Sequence, residues 1–293
     1  MTMPNFLIVG AQKAGTTALY YYLRQHPQIY MSPEKETHFF SYENEKLNFR
    51  GPSRNLLTPI TNIEAYRALF QKVSGEIAIG EASPSYLYIP KAVERIQHYL
   101  PDAKLIAILR NPVDRAYSNF MHCVRDGCEP LTDFQQALQA EKARISDNWG
   151  AMWHYIQKGF YYPQLRRFFD RFDQDQIKVY LYEDLQTNPV GVLQDIFQFL
   201  NVDKEFVPDV SGKHNVSGIP KNKALQILMT GVIPIRSGIN LFLPAKLRQS
   251  IRERILIKPE LPLEVRRQLI QVYQEDILKL QDLIQRDLSK WLA

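Results

Sequence analysis

Short apolar runs alternate with amphipathic stretches along the first 200 residues of the chain. Four runs are typical of buried parallel strands: residues 6–9, 78–81, 104–109 and 177–182. The stretches with helical spacing predict helices over residues 16–26, 62–73, 90–99, 113–125, 131–144, 161–172 and 190–200. Strands that alternate with helices predict an α/β fold, in which helices cover both faces of a parallel sheet.

The C-terminal part has a different pattern. Strand-like runs stop after residue 210, and residues 263–292 form one long amphipathic segment. Leu269, Tyr273, Asp276, Ile277 and Leu280 recur at near-helical spacing, which predicts a helix that packs on the sheet as a brace. A helix that binds a partner is the alternative. We predict one domain over residues 1–293, with a helical C-terminal part from about residue 221 and a surface loop at 49–61.

Composition narrows the class of protein. With 293 residues and 45% hydrophobic content, the chain can bury a substantial core. Its net charge of +5 suits an anionic ligand, but no long basic run indicates a nucleic-acid partner. The first ten residues lead directly into a strand, so we expect neither a signal peptide nor a transmembrane segment. Cys123 and Cys128 are too few for a disulfide framework, and we predict reduced thiols and a bacterial cytoplasmic location.

The segment at residues 10–17 carries the strongest chemical pattern. Gly10 and Gly15 allow a tight turn, while Thr16 and Thr17 open the following helix. The N–H groups at a helix N-terminus bind anions, and Lys13 adds a positive charge inside the loop. We therefore predict a binding site for a phosphate or sulfate group.

The order of residues in this loop differs from that of a Walker A loop. Lys13 precedes the second glycine, whereas the Walker lysine follows it. The strand at 104–109 ends in Arg110, Asn111 and Pro112, and a nucleoside-triphosphatase would need a carboxylate there for Mg²⁺. These differences disfavour a P-loop nucleotide kinase. It stays an alternative, together with a non-catalytic nucleotide-binding module.

Two separated motifs resemble those of the sulfotransferase family. The loop at 10–17 resembles the family's 5′-phosphosulfate loop, and residues 108–120 (ILRNPVDRAYSNF) resemble its 3′-phosphate motif. KETHFF at 35–40, GEASPSYLY at 80–88 and HNVSG at 214–218 are similar to the glycan and bacterial branches. The resemblance covers nearly the whole chain. It implies a P-loop-like fold, the donor 3′-phosphoadenosine 5′-phosphosulfate (PAPS), the product 3′-phosphoadenosine 5′-phosphate (PAP), and no metal.

The resemblance also implies a set of donor-binding residues. Lys13 would stabilise charge on the leaving oxygens, and Arg110 and Ser118 would hold the 3′-phosphate, since an arginine fork can bind two phosphate oxygens. A late loop would close over the nucleotide, and an aromatic residue after Gly159 would support it. The predicted donor-binding residues are Gly10, Gln12, Lys13, Ala14, Gly15, Thr16, Thr17, Arg110, Ser118, Tyr162, Lys213, Asn215, Ser217 and Gly218.

Two residues are candidates for the base that removes the acceptor proton. By resemblance the base is Glu36, whose burial beside Phe39 and Phe40 is expected to raise its pKa. His38 is the competitor, because imidazole titrates near neutral pH. In an extended segment both side chains share a face, so both can line one pocket.

The acceptor side is less defined by the sequence. Glu81 and Ser83 are candidate substrate-binding residues. Ala82 stands where some glycan sulfotransferases have a lysine that aids the transfer, so another group must supply that role or it is absent. The resemblance implies a hydroxyl of a carbohydrate, lipid or small metabolite as the acceptor, with an amine left open. Loops at 40–62 and 125–160 are expected to shape the acceptor pocket.

Overall fold

A parallel five-stranded sheet forms the centre of the protein. The computed structural model describes residues 2–52, 57–212, 219–220, 256–257 and 259–293. The strands are β1 (Phe6–Gly10), β2 (Ile29–Met31), β3 (Ala78–Ala82), β4 (Lys104–Leu109) and β5 (Ile177–Leu181), in the spatial order β2–β3–β1–β4–β5. Every residue of the central strand β1 is buried, as its uninterrupted apolar run predicts. The α/β fold expected from the sequence is confirmed.

Helices follow the strands along the chain. They are α1 (Thr16–Leu23), α2 (Phe39–Tyr42), α3 (Ile63–Ala68), α4 (Ser85–Tyr88), α5 (Pro90–Tyr99), α6 (Pro112–Arg125), α7 (Phe134–Ser146), α8 (Tyr161–Phe169), α9 (Tyr182–Thr187), α10 (Pro189–Phe199) and α11 (Leu263–Ile284). Short 3₁₀ turns lie at Ala151–Trp153, Gln157–Gly159, Gln174–Gln176 and Ser289–Leu292. A second, antiparallel pair joins β6 (Ile219–Pro220) to β7 (Leu256–Ile257).

Capping side chains place several helix starts. Asn62 accepts hydrogen bonds from the backbone N–H groups of residues 64 and 65, and Asn111 accepts from those of 113 and 114. Asp133 accepts from the N–H of Gln136, so α7 begins at Phe134 and not at residue 131 as the apolar pattern predicts. The other helices predicted in the first 200 residues agree with the structure to within three residues at each end, except that α3 ends at Ala68 and not at residue 73.

The sequence prediction missed several short elements, among them β2, α2, α4 and α9, and the pair β6 and β7, which lies beyond residue 210 where no strand was expected. Strand β2 has three residues at the edge of the sheet, and α2, α4 and α9 have four to six residues each. Such pieces are too short to show a period of hydrophobic positions, and tertiary contacts hold them. The backbone of β2, for example, pairs with β3 along Ile29–Met31.

The C-terminal helix α11 packs mainly against the helices α8 and α6. Its sequence pattern predicted that it would pack on the sheet. All five residues on its predicted apolar face are buried. The helix ends at Ile284, because Gln285 adopts a left-handed conformation with φ of 52°. Cys123 and Cys128 are both buried free thiols, and Sγ of Cys128 donates to the carbonyl of Cys123 at 3.3 Å.

Candidate active site

The loop between β1 and α1 has the geometry of an anion site. Gly15 has φ of 100°, a conformation that side chains other than glycine rarely adopt, and it places Thr16 at the start of α1. A Cβ atom at Gly10 would lie 2.6 Å from Cβ of Leu87, so the strand can end there only as glycine. Among the described residues, no side chain makes a capping hydrogen bond at the start of α1. The first N–H groups of a helix have no intrahelical partner, so these donors suit an anion.

Lys13 lies half-buried within this loop, with φ of 71°. Burial lowers its pKa to about 8, and the nearby Arg125 acts in the same direction. Cys123, Asp126 and Glu36 act in the opposite direction. Because burial disfavours the charged form of Lys13, an anionic ligand bound beside it would stabilise that form.

Arg110 follows β4 directly and connects the two predicted phosphate motifs. Its Nη1 donates to the carbonyl oxygen of Lys13 at 3.3 Å, and its guanidinium lies 4.7 Å from the centre of the Tyr182 ring. Because β1 and β4 are adjacent and parallel, both motifs lie at the carboxyl edge of the sheet, where open α/β sheets bind ligands. The structure therefore brings Lys13 and Arg110 together.

Ser118 lies on α6 with 6% of its surface exposed, and its hydroxyl has no hydrogen-bond partner among the described residues. A buried hydroxyl without a partner costs free energy unless a ligand or water satisfies it. This orphaned donor, the free start of α1 and the two cations fit a ligand that carries several anionic groups.

The segment around the two base candidates is tightly held. Glu36 and His38 both adopt left-handed conformations, with φ of 64° and 55°. Nε2 of His38 lies 3.9 Å from Oε2 of Glu36, and Nδ1 of His38 lies 2.8 Å from Oγ of Ser85. Lys35 donates a hydrogen bond to Glu36. The two candidates thus lie side by side, but the left-handed backbone at both positions differs from the extended segment on which the sequence prediction rested.

The expected rise in the pKa of Glu36 is wrong. Burial does raise it, but Lys35, His38 and Lys13 together outweigh burial, so the pKa lies below its ordinary value. For His38, burial lowers the pKa, assisted by Lys158 and Lys35 and opposed by Glu36. At neutral pH Glu36 is therefore a carboxylate and His38 is neutral.

Glu81 and Ser83 are both fully buried, with 0% of each residue exposed. Oε1 of Glu81 accepts from Oγ of Ser83 at 2.6 Å and from Oγ1 of Thr37 at 3.2 Å. Oγ of Ser83 in turn accepts from the N–H of His38 at 3.0 Å. These contacts position the segment that carries the base candidates. Direct substrate binding by Glu81 and Ser83 stays a prediction, which their burial disfavours.

A cavity of about 200 Å³ opens beside Glu36 and His38. Nine lining residues belong to the loops at 40–62 and 125–160 that the sequence expects at the acceptor pocket: Tyr42, Phe49, Arg50, Leu57, Gly150, Ala151, Met152, Trp153 and Lys158. Gln12, Pro84 and Ser85 also line the cavity, and its use by an acceptor stays a prediction. The wall is mostly aromatic and aliphatic, and a few polar groups converge on it. Such a composition is typical of small-molecule sites.

Lys158 is the main functional candidate that the sequence prediction missed. It is 8% exposed, and its Nζ donates to Oε1 of Gln12 in the anion loop. A single lysine before Gly159 shows no pattern in the sequence. Only the fold brings the turn at Gln157–Gly159 against the loop after β1.

The remaining predicted residues lie farther along the chain. Tyr162 is half-buried at the start of α8, where Oδ2 of Asp276 accepts from the N–H groups of Tyr161 at 2.8 Å and Tyr162 at 3.3 Å. Burial raises the pKa of Asp276 to about 6. Lys213, Asn215, Ser217 and Gly218 lie outside the described residues.

Two further features bear on the class of site. Across the part of the chain that the structure describes, no group of histidine, cysteine and acidic residues is arranged to hold a metal ion. Nor, in those same residues, is any helix both long and apolar enough to span a membrane.

The fold and site define an α/β protein whose glycine turn, Lys13 and Arg110 lie together at the carboxyl edge of its sheet, with a cavity lined in part by the same loop. Comparison with known proteins agrees with this class. A model of the sulfotransferase family matches residues 4–206. The chain is 37% identical to a crystallised sulfotransferase from Alicyclobacillus acidocaldarius, with a TM-score of 0.79 and 100% of both chains covered. The chain therefore belongs to the sulfotransferase family.

Two curated relatives extend the comparison. A membrane-associated sulfotransferase of Dictyostelium discoideum is 24% identical over 77% of this chain and 62% of that protein. The bifunctional heparan sulfate N-deacetylase/N-sulfotransferase 3 of Homo sapiens is 30% identical over 68% of this chain. The chain spans only 22% of the length of that human protein.

Proposed function

We propose that this chain transfers a sulfuryl group from PAPS to a hydroxyl group of an acceptor. The observation that carries the proposal is the hydrogen bond between Arg110 and the carbonyl of Lys13, which joins two anion-binding elements at one edge of the sheet. PAPS carries anionic groups at both its 5′ and 3′ positions, so it needs two such elements. The orphaned hydroxyl of Ser118 supports a ligand at the second element.

The donor-binding roles follow from these positions. Gly15, Thr16 and Thr17 would hold the 5′ end through the start of α1, and Arg110 and Ser118 would hold the 3′-phosphate. PAPS supplies an activated sulfuryl group with a phosphate as its leaving group. Lys13 would stabilise the negative charge that develops on that phosphate.

We assign the proton transfer to Glu36. It is ionised at neutral pH and lines the acceptor cavity, and bound anions would raise its pKa toward the range that suits a base. His38 is the weaker candidate, because its Nδ1 already bonds with Ser85 and its pKa is lowered. Glu36→Gln should lower kcat by at least about a hundredfold and leave PAP affinity within about twofold, whereas His38→Gln should keep most of the turnover. A larger loss in His38→Gln would transfer the role to His38.

The cavity indicates the kind of acceptor. Tyr42, Phe49, Leu57, Met152 and Trp153 form an apolar wall, and Arg50 adds a positive charge to it. We infer that the acceptor is a hydroxyl compound with an apolar face, from the carbohydrate, lipid or small-metabolite classes. The human relative is named an N-sulfotransferase, so an amine acceptor should be screened as well.

Calorimetric titration tests the donor. Wild-type protein should bind PAP without Mg²⁺, and Arg110→Ala and Lys13→Ala should each weaken that binding by at least about tenfold, the scale of a hydrogen bond to a charged group. Preference for ADP with Mg²⁺ would support the kinase alternative. PAP binding without sulfuryl transfer to any screened acceptor class would favour the non-catalytic module.

We also propose that the chain is one domain. Residues of the C-terminal part contact α6 directly: Arg266 lies 2.5 Å from Asp114, and the hydroxyl of Tyr117 donates to the carbonyl of Pro259 at 3.0 Å. A single cooperative unfolding transition would support this, and two separate transitions would contradict it. A bacterial cytoplasmic location and the lack of a nucleic-acid partner stay predictions.

A further inference from the structure

Lys158 is a buried cation that has no counter-ion among the residues that the structure describes. Among the described residues its ammonium makes one hydrogen bond, to the neutral amide of Gln12, and no carboxylate lies within ion-pair distance. The ammonium lies 5.7 Å from the centre of the Tyr88 ring. A lysine has three donors, and a charge held in this way is costly unless an anion joins it.

The charges around Lys158 come from several elements. Burial lowers its pKa to about 7, and Arg115 on α6 acts in the same direction. Glu36, Cys123 on α6 and Glu141 on α7 act in the opposite direction, but they do not bring the pKa of Lys158 back to its ordinary value. The charge of Lys158 also acts on His38 and His154 and lowers the pKa of both. The surroundings therefore favour binding of a negative group.

The backbone holds Lys158 in place. Nε2 of Gln164 donates to the carbonyl of Lys158 at 3.2 Å, and the N–H of Gly159 donates to the carbonyl of Ile156 at 2.8 Å. A Cβ at Gly159 would lie 2.6 Å from the Tyr273 ring, so α11 closes tightly over this turn. A rigid backbone that presents a single charge is what electrostatic stabilisation of a transition state requires.

The position of Lys158 relates it to the reaction. Through Gln12 it contacts the loop assigned to the phosphosulfate, and it lines the same cavity as Glu36 and His38. It thus borders both the donor loop and the cavity that the base candidates line. The lysine expected by resemblance at position 82 is an alanine, and Lys158 reaches the site from another part of the chain.

We propose that Lys158 is a second catalytic lysine, which contacts the sulfuryl group from the acceptor side while Lys13 contacts it from the donor loop. The assignment rests on the proposed function. In the transfer, the acceptor oxygen forms a bond to sulfur as its proton passes to Glu36. The bond from sulfur to the bridging oxygen breaks, and its electron pair remains on the phosphate of PAP. Lys158 stays an ammonium throughout and donates a hydrogen bond to a sulfuryl oxygen.

Equilibrium binding of PAPS and PAP without acceptor provides the test, because only PAPS carries the sulfuryl group. Lys158→Met should weaken PAPS binding by about tenfold and PAP binding by less than about twofold. Lys158→Gln keeps a hydrogen-bond donor for Gln12 but lacks the charge. It should change the ratio of PAPS affinity to PAP affinity as much as Lys158→Met does. With an acceptor found by screening, both variants should lower kcat by about a hundredfold or more.

Lys104→Met is the matched control. Lys104 is also partly buried and donates to a backbone carbonyl, that of Phe199, but it lies at the opposite end of β4. This variant should keep the wild-type ratio of PAPS to PAP affinity. Thermal unfolding of all three variants checks that the fold is intact.

The outcomes separate the inference from the function on which it rests. Normal wild-type binding with an unchanged ratio in folded Lys158→Met or Lys158→Gln would overturn the role of Lys158 alone. Equal losses for PAPS and PAP would overturn it too, because they would show that Lys158 only shapes the loop through Gln12. A wild-type protein that binds neither nucleotide would overturn the proposed function and this assignment together.

Discussion

Replacing Glu81 by glutamine should change how the stability of the protein depends on pH. The carboxyl group of Glu81 is fully buried, and its Oε2 has no hydrogen-bond partner among the described residues. Burial raises its pKa from 4.5 to about 7, although hydrogen bonds from Ser83, Tyr86 and Thr37 act against the rise. A glutamine can accept the same hydrogen bonds through its oxygen but does not titrate.

The sign and the size follow from proton linkage. Because the pKa is higher in the folded state, the folded protein binds more protons than the unfolded chain between pH 4.5 and about 7. Stability is therefore lost as the pH rises through this window. Each pKa unit corresponds to about 1.4 kcal/mol, so Glu81 should remove about 2.5 kcal/mol of the free energy of unfolding between pH 5 and pH 8. That is a large share of the total free energy of unfolding, which is roughly 5–15 kcal/mol for a typical folded protein.

Urea unfolding at pH 5, 6, 7 and 8 provides the assay. The stability of Glu81→Gln relative to wild type should increase by about 2.5 kcal/mol across the series, while other groups cancel in the difference. Glu94→Gln is the control, because Glu94 is an exposed carboxylate on α5, and its difference should stay within about 0.5 kcal/mol. A Glu81→Gln difference that does not change with pH would refute the assigned burial of this carboxyl group.

Three further predictions concern the anion loop, a buried ion pair and the cations of the site. Gly15→Ala should cost about 1–3 kcal/mol of stability and weaken PAP binding, because φ at Gly15 is 100° and the added Cβ would lie 3.1 Å from the Tyr182 ring. Thermal unfolding and calorimetry test this, and an unchanged Tm would contradict it. Arg144→Met should lower the free energy of unfolding in urea by about 3–5 kcal/mol, because it leaves the carboxylate of Glu129 buried without the two Arg144 nitrogens that lie 2.7 and 2.8 Å from it. The double variant with Glu129→Gln should recover most of this loss, and failure to recover would show that the cost is not electrostatic. PAPS binding at pH 8 should take up about one proton, because the bound anion raises the lowered pKa values of Lys13 and Lys158, and this uptake should shrink toward pH 6. Calorimetry in buffers of different ionisation enthalpy measures the uptake, and its absence at pH 8 would count against the roles of both lysines.

Much of the site could be predicted from local patterns. The strand, glycine turn and helix at residues 6–23 follow from nearest-neighbour preferences, so the anion loop is readable without any tertiary information. Arg110 could be placed at the same edge as Lys13, because parallel strands end together. Glu36 and His38 are close in the sequence as well as in space, but their left-handed backbone is not the extended conformation that their spacing of two residues suggested.

The electrostatic state of these groups could not be predicted in the same way. The direction of the pKa of Glu36 depends on Lys35, His38 and Lys13, and the sequence shows only the adjacency of the first two. Glu81 is a candidate substrate ligand in the sequence, and only the structure shows its buried hydrogen bonds with Thr37 and Ser83. A pKa is a sum over all neighbours in space, and most of those neighbours are distant along the chain.

The sequence by itself determined the α/β class, the anion loop and the family, because each rests on short-range order: hydrophobic period, turn chemistry and motif spacing. Tertiary structure alone decided which distant groups complete the site. Lys158 lies 146 positions from Gln12 and meets it only because α8 and α11 hold its turn against the loop after β1. A contact of that separation leaves no local pattern, since folding the whole core is what brings the two residues together.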